Sequence, residues 1–149
     1  MMPKQWKLSF VSASMDDVPL IFAQSKALVD AYEDVASIPY EQVMNWMHNK
    51  IQENIAQYTK VCIDGITAGF YRLVSGEEET ELDDFYILPP FRGQGIGTAV
   101  LEKCILDEQK PMFLYVFQKN VGAIRLYNRF GFEPAQVVSE TRMILRRKG

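Results

Sequence analysis

The chain has 149 residues, 48% hydrophobic and 23% charged, enough to bury one substantial core, and is read as a single domain over residues 1–149. A formal net charge of −3 and a pI near 5.2 argue against a general nucleic-acid or membrane-surface binder, and no apolar run reaches the length of a membrane span. One histidine and two separated cysteines leave no zinc ligand set; Cys62 and Cys104 read as small core residues of a reducing, cytoplasmic setting.

In chain order, residues 6–10 alternate like a strand rather than a signal peptide. Ser14, followed by Asp16 and Asp17, reads as the N-cap of a helix to about Tyr32, with Leu20, Ile21, Gln24, Leu28 and Tyr32 along one side. Residues 35–39 break that pattern. A second helix from Tyr40 repeats apolar residues at Val43, Met44, Met47, Ile51 and Ile55, with His48 packed or half-exposed beside the stripe. Residues 58–63 and 66–74 make a hairpin about Asp64-Gly65, and a polar turn from Ser75 through Glu77, Glu78 and Glu79 leads to the next strand.

That next strand, residues 81–88, carries aromatic and β-branched residues in its second half and is ended by Pro89 and Pro90, which cannot donate to a sheet ladder. From Ile96 the apolar residues Ile96, Ala99, Val100, Cys104 and Ile105 fall at helical spacing. Between strand and helix stand Gly93, Gly95 and Gly97, beside Arg92. Such a loop can aim consecutive N–H groups, a helix dipole and a guanidinium at a phosphate. The spacing is wrong for a dinucleotide fingerprint, since Val100 stands where the third glycine belongs. It is wrong for an ATP-type loop, since Thr98 follows Gly97 without a lysine.

Residues 112–117 form an unbroken apolar run, predicting a strand buried on both faces and parallel to the strand before the loop. A helix from about Asn120 to Phe130, stopped by Gly131, and strands at 132–134 and 137–145 complete a mixed sheet. Arg142, Arg146, Arg147 and Lys148 read as a solvated strand end and tail.

Two segments carry a resemblance. After a strand ending Ile87-Leu88-Pro89 comes Arg92-x-x-Gly95-x-Gly97, and downstream lies Asn120-x-x-Ala123-x-x-Leu126-Tyr127-x-x-x-Gly131-Phe132. Together they resemble the GNAT superfamily of acyl-CoA N-acyltransferases. The resemblance implies an α/β fold of the α+β type: a mixed, mostly antiparallel sheet with a central splayed parallel pair, flanked by about four helices. It also implies acetyl transfer from acetyl-CoA to a primary amine by direct attack in a ternary complex, without a metal.

By resemblance, the pyrophosphate rests on N–H groups of Gly93, Gln94, Gly95, Ile96, Gly97 and Thr98, with charge from Arg92. Main-chain groups of Phe85 and Ile87 meet the acyl arm and the oxyanion. Asn120 holds the coenzyme arm, and its local reading is a helix N-cap. Tyr127 protonates the departing sulfur, and Glu81 is the candidate base. Asp83 and Asp84, on opposite sides of the strand, or a chain of waters, are the alternatives.

A noncatalytic acyl-CoA sensor of the same fold is the second reading, and the presence of Tyr127 favours the enzyme. A nucleotide-binding regulator is disfavoured by the failed spacings. The acceptor is expected to be a small-molecule or protein amine, cationic if Glu77, Glu78, Glu79, Glu81, Asp83 and Asp84 face it. The oligomeric state stays open, with a homodimer as one option.

Overall fold

The computed structural model describes residues 7–149, so Trp6 of the first expected strand lies outside the described residues. Ser14 caps the first helical turn as its spacing predicts: Asp17 turns back to accept from the Ser14 N–H at 2.8 Å. That turn is a tight 3-10 one, and α1 (Val18–Tyr32) continues from it. The deepest face of α1 carries Val18, Ile21, Ser25 and Val29, rotated from the expected stripe, so that Leu28 and Tyr32 are left to line a cleft. α2 (Tyr40–Glu53) buries Met44, Met47 and Ile51. His48 packs edge-on against Phe22, with ring centroids 5.4 Å apart.

Strand β1 (Leu8–Ser12) borders β2 (Tyr58–Ile63), and β2 turns into β3 (Ile66–Ser75) through Asp64 and Gly65, both at positive φ (51° and 80°), as a two-residue hairpin requires. β4 (Thr80–Ile87) follows β3 antiparallel and leads to α3 (Ile96–Leu106), then β5 (Met112–Phe117), α4 (Val121–Arg129), β6 (Glu133–Val137) and β7 (Arg142–Arg147). The sheet order is β1-β2-β3-β4-β5-β7-β6, and β4 with β5 is its parallel pair. This is the mixed, mostly antiparallel sheet with four flanking helices that the resemblance implies.

Two departures from regularity position everything else. First, β4 and β5 pair only at Thr80↔Met112 and Glu81↔Phe113, and then part. Second, β4 carries a bulge. Opposite β3, Arg72 pairs with Asp83 and Phe70 with Tyr86, so three steps on β4 match two on β3, and Asp84 takes φ 46°. The bulge shifts the alternation of side chains by one residue. Leu82, Phe85 and Ile87 face the core under α3 and α4, whereas Tyr86 and Leu88 join the cluster of Ile21, Ile51, Tyr58 and Phe70 on the α1–α2 side.

Three sequence expectations are corrected. β5 is buried on one face only: Met112, Leu114 and Val116 enter the core, but Tyr115 is 42% exposed and Phe113 and Phe117 are half-buried. The last strand does not run through 137–145, because Thr141 and its neighbours make the β6–β7 turn. Nor are the C-terminal arginines a solvated tail. Arg146 pairs with Glu79 at 3.0 Å, Arg147 donates to the Phe130 carbonyl, and Arg142 lies over the Tyr115 ring. Aromatic rings on the open face of β5 give these guanidinium groups flat surfaces to stack on. Among the described residues, no helix is long and apolar enough to cross a membrane.

Candidate active site

Where β4 and β5 part, a cleft of about 1540 Å³ opens. Its walls come from both sides of the sheet: Trp46 and Lys50 of α2 on one, Leu126 and Tyr127 of α4 on the other. The cleft therefore passes through the gap between the strands.

One end is built by the loop after β4. Gly93 and Gly95 hold φ 74° and 84°, and a Cβ added at either would meet no atom within 4 Å, so both leave open space in front of the backbone. Gly95 is the N-cap of α3 in the left-handed conformation, and the first intrahelical bond runs from Ala99 N–H to Gly95 O at 3.1 Å. The N–H groups of Ile96, Gly97 and Thr98 precede that bond and lie at the positive end of the helix dipole. Gly97 differs from the other two. It is helical, and a Cβ there would touch Ile87, Leu126 and Phe85 at 3.5 to 3.9 Å, ordinary packing distances. Gln94 Nε2 donates to the Pro90 carbonyl at 3.1 Å, Arg92 Nε donates to the Ile87 carbonyl at 2.8 Å, and Arg129 donates to Thr98 Oγ1 at 3.4 Å. Two guanidinium groups thus flank the glycine loop.

Glu81, Phe85, Ile87, Asn120 and Tyr127, the residues that the sequence singles out, all line the cleft. Phe85 lies within the bulge, has no register partner on β3 or β5, and lines the cleft. Asn120 caps α4 through Ala123 N–H at 3.3 Å and also lines the cleft. Tyr127 is 8% exposed, packed by Phe85 and Phe132, and has no hydrogen-bond partner for its hydroxyl among the described residues. Burial, then the charge of Asp83, pushes its phenol well above the ordinary range, so it stays protonated at neutral pH. Glu81 is half-buried in the cleft wall. Burial, followed by repulsion from Asp83, raises its carboxyl pKa.

Asp83 and Asp84, expected on opposite sides of the strand, share one side because of the bulge. Lys50 Nζ reaches both carboxylates at 3.1 Å, and Arg72 reaches Asp83 at 2.9 Å. Asp84, its side chain 8% exposed, also accepts from Tyr58 at 2.5 Å, from Tyr86 at 3.3 Å and from Ser25 at 3.4 Å. Burial pulls the Lys50 pKa down, but Asp84 and Asp83 outweigh it and hold the ammonium above its usual range. With its acceptor sites filled, Asp84 is a structural carboxylate, unlike Glu81.

Sequence reasoning missed Lys50, Arg72, Ser25, Tyr58 and Tyr86 as partners of these two carboxylates. The available signals were Lys50 between Met47 and Ile51 on a buried helix face, and Arg72 inside an otherwise apolar strand. Of the acidic run, Glu77, Glu78 and Glu79 do not line the cleft; Glu79 serves Arg146 instead. The cleft walls carry the carboxylates Glu33, Glu81, Asp83 and Asp84 against the cations Lys50, Arg72, Arg92, Arg129 and Arg142.

The model of the Acetyltransferase (GNAT) family matches residues 25–132, a span holding the glycine loop, Glu81, Asn120 and Tyr127. The chain belongs to the GNAT family of acetyltransferases. Over 69 residues it is 39% identical to an uncharacterized N-acetyltransferase of Methanocaldococcus jannaschii, a match covering 44% of this chain and 30% of that protein. Over 57 residues it is 40% identical to the spermine/spermidine N(1)-acetyltransferase of Bacillus subtilis, covering 35% of this chain and 38% of the relative. The matches thus span about a third of the length of these curated relatives.

Solved structures match over nearly the whole chain. The PaiA N-acetyltransferase of Thermoplasma acidophilum, solved in complex with coenzyme A, superposes with a TM-score of 0.70 at 17% identity, covering 96% of this chain and 99% of its own. A GNAT-family acetyltransferase from Streptococcus agalactiae reaches 0.73 at 14% identity, covering 97% and 98%. At these identities the likeness is one of fold.

Proposed function

We propose that this GNAT protein is an N-acetyltransferase that moves the acetyl group of acetyl-CoA onto a primary amine by direct attack within a ternary complex. The observation that carries the reading is a single cleft, threaded through the β4–β5 gap, with the glycine loop at one end and Tyr127, Phe85 and Glu81 at its throat. The relative from T. acidophilum, solved with coenzyme A, has the same fold. The residues present fit that coenzyme: open left-handed glycines, the first N–H groups of α3 and two flanking guanidinium groups suit a pyrophosphate.

Bound there, acetyl-CoA supplies an activated thioester carbonyl, and this chain's residues supply the rest. N–H groups from Gly93 to Thr98 hold the pyrophosphate, and Arg92 and Arg129 add charge. Asn120, which lines the cleft, bonds the coenzyme arm. The Phe85 main chain, without a sheet partner, and that of Ile87 orient the thioester and its developing oxyanion.

Glu81 takes up the amine's proton, directly or through water. Its raised pKa suits a base that must hold a proton briefly near neutral pH. Tyr127 gives its proton to the departing thiolate. A phenol held above its ordinary pKa is a weaker acid than usual, but a thiolate leaving group still draws a hydrogen bond from it. An assay of thiol release from acetyl-CoA over a panel of amines tests the reading. Amine-dependent release is the expected result; coenzyme binding with no release for any amine would leave a noncatalytic sensor.

A further inference from the structure

The open face of β5 presents three rings, Phe113, Tyr115 and Phe117, and two arginines of β7 lie on them. Their surroundings differ. Arg146 stacks on Phe113 and is exposed, and its charge is met by Glu79 at 3.0 and 3.2 Å. Arg142 is half-buried and lies 4.9 Å above the Tyr115 centroid and 5.9 Å from that of Phe117, in the cleft wall. Its guanidinium has neither an ion pair nor a hydrogen bond among the described residues. The other four cleft cations each donate to an oxygen: Lys50 and Arg72 to carboxylates, Arg92 to a carbonyl, Arg129 to a hydroxyl.

A half-buried cation with only π-faces beneath it has lost part of its hydration and gained no anion, a cost that a bound carboxylate would relieve. The nearby carboxylate does not fill the role. Glu33, at the end of α1, is hydrogen-bonded to the Thr141 hydroxyl and to the Asp34 N–H at 3.2 Å. The same Glu33–Thr141 contact ties the β6–β7 turn to α1. Gln118 adds a bond to the Ser139 carbonyl at 3.0 Å, so the strand start that carries Arg142 is braced from both sides.

Position completes the argument. Arg142 pairs directly with Phe117, and Glu81 with Phe113. Carried along the two strands with the bulge counted, that register places Arg142 about level with Tyr86, one residue past Phe85, on the far side of β5. Strands stand roughly 4.8 Å apart, so Arg142 faces the throat from about two strand spacings, widened by the splay. An amine at the throat would have this guanidinium within reach of a group a few bonds away.

Resting on the acetyltransferase reading, we propose that Arg142 is a specificity-determining residue that selects acceptors carrying a carboxylate close to the reacting amine. The planar guanidinium, lying over Tyr115 and Phe117, has its N–H donors free among the described residues for a forked pair of hydrogen bonds to a carboxylate. The carboxylate can belong to a free amino acid or ω-amino acid, or to an acidic residue beside a peptide N-terminus. Both present the same chemistry to Arg142.

The test compares kcat/KM for amino carboxylates of increasing spacer length with their carboxamides, and for peptides with an acidic or an amide residue beside the N-terminus. Wild-type protein and Arg142→Gln are assayed, with coenzyme A affinity measured on both. A charge-assisted pair should favour the carboxylate of at least one matched pair by roughly 10- to 100-fold, mostly through KM. Arg142→Gln should bring that ratio close to one at unaltered coenzyme affinity, and Arg142→Lys should restore part of it. The better of the free and peptide series names the source. Equal rates for carboxylate and carboxamide in wild type, a preference for polyamines, or a ratio that survives Arg142→Gln would overturn the inference while leaving acetyl transfer standing. Absence of thiol release with every amine would remove the acetyltransferase reading itself, and this inference with it.

Discussion

Burial raises the pKa of both Tyr127 and Glu81, and each proposed role has its own test. Replacing Tyr127 with Phe keeps the ring packed against Phe85 and Phe132 and removes only the hydroxyl. If that hydroxyl serves the departing sulfur, kcat should fall by ~10- to 1,000-fold with coenzyme affinity nearly unchanged, as steady-state kinetics and calorimetry would report. Glu81 has a folded-state pKa above its unfolded value, so its charge opposes folding once pH rises through the folded pKa. Glu81→Gln should therefore melt at a higher temperature than wild type at pH 7, with the difference vanishing near pH 4, while turnover falls. A destabilised Glu81→Gln protein at pH 7 would mean that the carboxylate has a partner it needs. The sequence named both as candidates, Tyr127 by its place in a motif and Glu81 by its place on the central strand, and both line the cleft. Asp84 was misread because a bulge leaves no mark in an alternation count: Asp83 and Asp84 look like opposite faces until the extra residue puts them together against Lys50.

Among the elements, the loop before α3 and the bulge of β4 depend on backbone conformation more than on side-chain identity. Gly95→Val must adopt φ 84°, unfavourable for a branched residue, and would project into the open space in front of the loop. Coenzyme A affinity should be lost in a protein that still folds. Gly97→Ala meets only ordinary contacts and should keep most of that affinity, so isothermal titration of the two variants separates phosphate recognition from packing. In the bulge, Lys50→Met removes the cation shared by Asp83 and Asp84 and should cost about 1–3 kcal/mol in chemical denaturation. Asp84→Asn, which tolerates positive φ, keeps a carbonyl oxygen for Tyr86 and Ser25 but turns an NH2 toward Tyr58 and Lys50, so it should cost a similar amount. Deleting Asp84 would remove the extra residue and restore strict alternation with Phe85 and Ile87 still under α3 and Tyr86 still on the α1–α2 side, at the loss of the acceptor that Tyr58, Tyr86, Ser25 and Lys50 share. Strand and helix existence was legible from period and punctuation. The one-sided burial of β5 was not, because an all-apolar run looks the same whether its second face meets a helix or a stack of arginines.

Across the whole molecule, the two halves of the sheet meet through only two ladder pairs, and beyond Glu81 the facing edges of β4 and β5 have no strand between them. Amides along those edges should exchange quickly in the free protein and gain protection with coenzyme A, a pattern that hydrogen-exchange mass spectrometry can resolve by peptide. Saturating coenzyme at about 100 times its Kd should add roughly 2.7 kcal/mol to stability and raise Tm by several degrees. The β2–β3 hairpin and the parallel pairing of β4 with β5 were legible in the sequence, but periodicity cannot say that β7 inserts between β5 and β6. The parted edges also carry a calorimetric consequence. Backbone N–H and C=O groups facing the gap must be hydrated before a ligand arrives, and the amides of a pantetheine arm would replace that water group for group. Exchanging polar contacts for polar contacts releases little of the solvent ordered around hydrocarbon. Coenzyme binding should therefore be exothermic at 25 °C, with a heat-capacity decrement smaller than apolar burial of the same area would give.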